Sequence, residues 1–148
     1  MRAMKKRAVF SIAVLYFLIA GFTFGAGDYR APYDMRLEDV RGGQSYARVE
    51  FESMMYMPGN LNMGINFYRL EPDTVYTVWY TNEKNERVPA GVDGNVFKTD
   101  GGGKGRYVTS VNGYYLDNWD RIEVYAHPDG NPENTRDMVG VLKGDLLG

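Results

Sequence analysis

Cysteine is absent from this chain of 148 residues, and histidine occurs once. The first absence removes thiol nucleophiles, disulfide frameworks, cysteine-ligated zinc and a lipid-modified cysteine. The second removes any copper, iron or zinc centre built from clustered imidazoles. No Asn-x-Ser/Thr acceptor for N-glycosylation occurs either. Sustained helical spacing of apolar residues is missing after position 28. What remains is 18 glycines, 12 tyrosines and 44% hydrophobic residues, a foldable, turn-rich composition of single-domain size. No cofactor is implied.

Charge is unevenly placed. Arg2, Lys5, Lys6 and Arg7 form a basic cluster, and the residues from Ala8 to Gly27 carry no charge. Small residues close the segment at Thr23, Gly25, Ala26 and Gly27. A basic start, an apolar stretch and a small-residue exit are the three parts of a secretory signal peptide, so residues 1–27 are read as an export signal. The alternative is an uncleaved membrane anchor, because the uncharged stretch reaches the length of a spanning helix. Only in that case does the chain have a membrane partner. Both readings place the remainder outside the cytoplasm, secreted or periplasmic. Four of the 17 basic residues and none of the 19 acidic ones lie in the segment, which leaves 13 against 19 and a net charge of −6. Such a surface repels phosphate backbones, so nucleic acid is not an expected partner.

After residue 43 the apolar pattern has period two, interrupted by Gly, Asn, Asp or Pro. Strands are expected over 45–52, with Ala47, Val49 and Phe51 on one face, and over 61–68, with Leu61, Met63, Ile65 and Phe67 on one face. Residues 74–81 carry bulky groups on both faces, as a central strand does. Further strands are expected over 95–99, 106–111, 119–126 and 139–147. The turn signals are Pro72-Asp73, residues 100–105, Asn112-Gly113 and residues 127–132. About seven short strands predict an all-β, antiparallel sandwich, immunoglobulin-like or a related Greek key, over 44–148. Residues 28–43 are less patterned and are read as an N-terminal arm or an extra edge strand.

The run Leu70-Glu-Pro-Asp-Thr-Val-Tyr-Thr-Val-Trp-Tyr, then Val96-Phe97 with Asp100 and its glycines, then Trp119-Asp-Arg-Ile-Glu-Val, then Val139-Gly-Val-Leu-Lys-Gly-Asp-Leu resembles a bacterial extracytoplasmic β-sandwich. It is similar to the C-terminal domain of anti-sigma-K-type regulators over residues 70–147. The chain lacks a cytoplasmic zinc-binding anti-sigma segment, so the resemblance implies fold and compartment but not sigma-factor control.

Candidate chemistry is sparse. The glycines of 101–105 offer N–H groups to an anion, but no Lys-Ser/Thr leads into a helix, and a tight turn is the plainer reading. Asp93, Asn95 and Asp100 are weak calcium candidates, without the alternating acids of an EF-hand loop. His127 precedes Pro128 and is read as a surface-loop histidine; Ser45, Ser53 and Ser110 sit in no nucleophile elbow. Met54-Met55-Tyr56-Met57-Pro58 is read as a methionine-lined core edge rather than a thioether copper site. Tyrosine is the surplus. If Tyr76, Tyr80 and Tyr125 share an outward face, they are candidates for stacking on sugars or on a partner protein, although core packing and cross-strand pairing are the plainer reading. The expectation is therefore a non-catalytic protein that binds a protein or polysaccharide at the bacterial envelope. A carbohydrate-binding module, a self-assembling extracellular subunit and a small hydrolase with an Asp/Glu pair are the alternatives.

Overall fold

The computed structural model describes residues 34–54, 56–57 and 59–146. Residues 1–27, read from the sequence as an export signal, and the first residues of the expected arm lie outside the described residues. Nine strands and one short helix occur: β1 Met35–Asp39, β2 Tyr46–Ser53, β3 Asn60–Tyr68, β4 Val75–Thr81, β5 Arg87–Pro89, β6 Val96–Lys98, β7 Gly105–Asn112, α1 Gly113–Leu116, β8 Arg121–His127 and β9 Val139–Asp145. All pairings are antiparallel. The order is β5-β4-β8-β9-β1-β2-β3-β7, with β6 also on β4. The expected all-β antiparallel class is what forms. Its layers belong to one curled sheet, joined where β9 meets β1.

Alternation dictates which way the curl closes. In β2, Ala47, Val49 and Phe51 are buried between exposed Arg48, Glu50 and Glu52. In β3, Leu61, Met63, Ile65 and Phe67 are buried. They meet the even-numbered residues of β4 and β8 (Tyr76, Val78, Tyr80, Ile122 and Val124) in one core. The Phe67 and Phe97 rings stack at 4.0 Å and those of Tyr76 and Phe97 at 5.3 Å, so β3, β6 and β4 join through aromatic faces.

Two strands exceed the seven expected. β5 grows from the polar stretch after β4, where Asn82 Oδ1 accepts from the N–H groups of Lys84 and Glu86, both at 3.0 Å. β1 forms within the 28–43 segment, and here the expectation of an arm or edge strand is corrected. Met35–Asp39 is interior, with ladder partners in β2 on one side and β9 on the other, and Leu37 is fully buried. Asn112-Gly113 holds more than a turn. Asn112 ends β7 and caps α1, its side chain accepting from the N–H groups of Tyr114 and Tyr115. Among the described residues, no helix is long and apolar enough to cross a membrane.

Candidate functional site

The parity of β4 and β8 separates the three tyrosines. Tyr76 and Tyr80 point into the core and are each 1% exposed, so the outward face proposed for them is corrected: they are packing residues. Among the described residues, the Tyr80 hydroxyl reaches only the Met63 sulfur, at 3.8 Å. Burial pushes the phenols of Tyr76, Tyr80 and Tyr107 upward from their ordinary value. Tyr125 alone faces out.

Around Tyr125 the outer face of β4 and β8 is tightly linked. Residues Thr77↔Tyr125 and Trp79↔Glu123 stand opposite each other. The Tyr125 hydroxyl donates to Glu123 Oε2 at 2.5 Å, and Arg121 pairs with Glu123 Oε1 at 2.9 Å. The Arg87 guanidinium lies 4.7 Å from the Tyr125 ring centroid and 5.8 Å from that of Trp79. Burial, then the hydrogen bond and charge of Glu123, hold the Tyr125 phenol up at about 12. Trp79 Nε1 donates to Thr77 Oγ1 at 2.8 Å, and Thr77 Oγ1 and His127 Nε2 are hydrogen-bonded at 2.8 Å.

His127 is thus not a surface-loop residue. It is the last residue of β8 and is 1% exposed. The residue before a proline is driven toward extended backbone, so Pro128 permits the strand to run through His127 before stopping it. His127 also lines a cleft of about 500 Å³, where Arg41 and Lys98 face Glu71 and Asp73. Opposite charges are mixed there, which gives the cleft no single sign to select a ligand.

Two of the calcium candidates, Asp100 and Asn95, have other partners. Asp100 Oδ1 accepts from the N–H groups of Gly102 and Lys104 at 2.9 Å each, and these bonds hold its carboxyl below the usual range. Those are the donors an anion cradle would use, so the glycine run is a self-capped turn. Asn95 donates to the carbonyl of Val78 at 2.9 Å. Among the described residues, no three His, Asp or Glu side chains gather as a metal site.

The exposed tyrosines lie elsewhere. Tyr56 and Met57, at the β2–β3 turn, are 92% and 54% exposed; Tyr114 and Tyr115, on α1, are 69% and 45% exposed. This corrects the reading of the methionine-rich stretch as core edge at Tyr56 and Met57. The two segments are tied together. The N–H of Gly113 donates to the carbonyl of Gly59 at 2.7 Å, and Asn112 Nδ2 to Asn60 Oδ1 at 3.0 Å. Gly59 has φ +86°, and an added Cβ would stand 3.2 Å from the Tyr114 ring. Tyr115 meets Trp119 at 6.1 Å with planes tilted by 55°. Pro58-Gly59 was the sequence signal, since a turn presents its flanking side chains to solvent. Compared with known protein families, with curated proteins and with solved structures, the chain matches none.

Proposed function

We propose that the chain is an exported, non-catalytic binding protein of the bacterial envelope, and that it binds through its tyrosine-rich end. Residues 1–27, with their basic start and uncharged run, support the export part of this reading. The exposure of Tyr56, Met57, Tyr114 and Tyr115 at one end of a small sheet carries the binding part. Two-torsion aromatic side chains lose little freedom on contact and offer flat apolar faces with a polar tip, which suits sugar rings and protein surfaces alike. Tyr125 joins this role poorly, since its hydroxyl is engaged by Glu123.

Retention of the purified chain on an insoluble envelope fraction tests the reading. Tyr56→Ala and Tyr115→Ala are expected to reduce retention about tenfold together, while melting as the parent does. Undiminished retention of the double variant, or no retention of the parent, would overturn it. Competition by soluble polysaccharide distinguishes a glycan partner from a protein one.

A further inference from the structure

Along β7, the strand that leads into α1, β6 and β7 share a turn but form no ladder with each other, which leaves a seam. Among the described residues, β7 ends the strand order and pairs only with β3. Its register with β3 continues into the bond from the N–H of Gly113 to the carbonyl of Gly59. Hydrogen-bonded and non-bonded pairs alternate in an antiparallel ladder. Tyr107, Thr109 and Val111 therefore bond to β3, and Arg106, Val108 and Ser110 turn their backbone N–H and C=O groups into the seam. Among the described residues these groups make no backbone–backbone bond; the carbonyl of Ser110 takes a long contact of 3.4 Å from Thr109 Oγ1.

The space beside them is a cleft of about 460 Å³, walled by Val92, Asp93 and Val96 across from Arg106, Val108 and Ser110. Val92, Val96 and Val108 are 73%, 46% and 59% exposed. Val108 stands opposite Gly64, so no cross-strand side chain shields it. The edge over residues 106–110 carries no proline and no bulge, two of the devices that protect a terminal strand.

We propose that this seam binds an extended peptide, which enters as one additional strand on β7. The row of free backbone groups selects extended backbone, and the edge spans about 13 Å at a strand's rise per residue. Residues 92–96 border the same cleft on its far side. Charge sets the register. Arg106 makes no ion pair among the described residues, so the peptide carries an acidic residue opposite it. Two positions away, opposite Val108, it carries a β-branched apolar residue. The site is separate from the tyrosine-rich end and does not rest on the envelope reading.

The test uses the full chain and a fluorescein-labelled, end-blocked Lys-Thr-Val-Ile-Thr-Glu-Lys peptide, read by anisotropy. Saturable binding is expected. N-methylation of the isoleucine amide is expected to weaken it about tenfold or more, because it removes a bond to the edge. Val108→Pro deletes one seam-facing N–H and no bond to β3, a substitution that terminal strands accept; it is expected to cost a similar factor, while Val108→Thr binds within about threefold of the parent. No saturable binding, or an N-methylated peptide that binds as the parent peptide does, overturns the proposal. If Val108→Pro does not fold, the peptide pair still decides.

Discussion

On the outer surface of β4 and β8 the side chains interlock; on the outer surface of β3 and β7 they stand apart. The first flank carries Thr77, Trp79, Glu123, Tyr125 and His127, linked through hydroxyl, indole, imidazole and carboxylate contacts and roofed by Arg87. The second carries Asn62, Arg106 and Val108, all exposed, beside part-covered Gly64, Asn66 and Ser110. Both flanks belong to one sheet with one core. The difference follows from position: β4 has neighbours on both edges, whereas β7 has a ladder on one. An interior strand is packed on both faces, and a terminal one keeps its backbone and one face for solvent or a partner.

The largest expected effect lies beneath the first flank. Tyr80→Ala removes a side chain that is 1% exposed in the core and is expected to cost about 3–5 kcal/mol. Val108→Ala on the second flank is expected to cost less than about 0.5 kcal/mol, as an exposed substitution. Urea denaturation of both variants checks the contrast. Equal losses would mean that the β7 flank is packed as tightly as the β4 flank.

A smaller loss is expected from Thr77→Val, which keeps the shape of a fully buried side chain and deletes its hydroxyl. Trp79 Nε1 and His127 Nε2 then both lose their partner. Leaving a buried polar group unsatisfied costs about 1–3 kcal/mol, and that is the expected range here. A stability equal to the parent's would show that the outer network contributes packing alone.

This flank is also where the sequence misleads. β2 and β3 show their inner faces in the sequence because each alternates apolar with polar, and residues 47, 49, 51, 61, 63, 65 and 67 are all found inside. β4 has Tyr76, Val78 and Tyr80 on one side and Val75, Thr77 and Trp79 on the other, so parity cannot say which side is core. The choice is made by distant groups: the core presents Phe67 and Phe97 to Tyr76, while His127 answers Thr77 from fifty positions away. The interior place of β1 is hidden for the same reason, since its partner β9 lies about a hundred residues further along. The exposed tyrosines were half-visible. Pro58-Gly59 favours a turn, whereas residues 54–58 read as a core edge, and only the Gly113–Gly59 bond shows that α1 joins the β2–β3 turn.

The finest discrimination between the flanks is by alkaline pH, through Tyr125. Its phenol is held up at about 12, first by burial and then by Glu123, against an ordinary value of 10.0. In the unfolded chain the phenol ionises near its ordinary value, so between about 10 and 12 the unfolded state has lost a proton that the folded state keeps. The stabilising contribution is therefore fully present below pH 10 and is lost as pH rises toward 12. Tyr76, Tyr80 and Tyr107, all shifted upward, add to the same loss from the core side. Tyr125→Phe is expected to make the decline in midpoint denaturant concentration shallower across that window, by a minor part of the total because the ring is partly open to solvent and screened. It should also delete the highest-pH step that can be assigned to an outward-facing tyrosine in the absorbance titration at about 295 nm. An unchanged slope would place Tyr125 and Glu123 outside the linked network and leave Arg87, Trp79, Thr77 and His127 as the whole of what distinguishes the β4 flank.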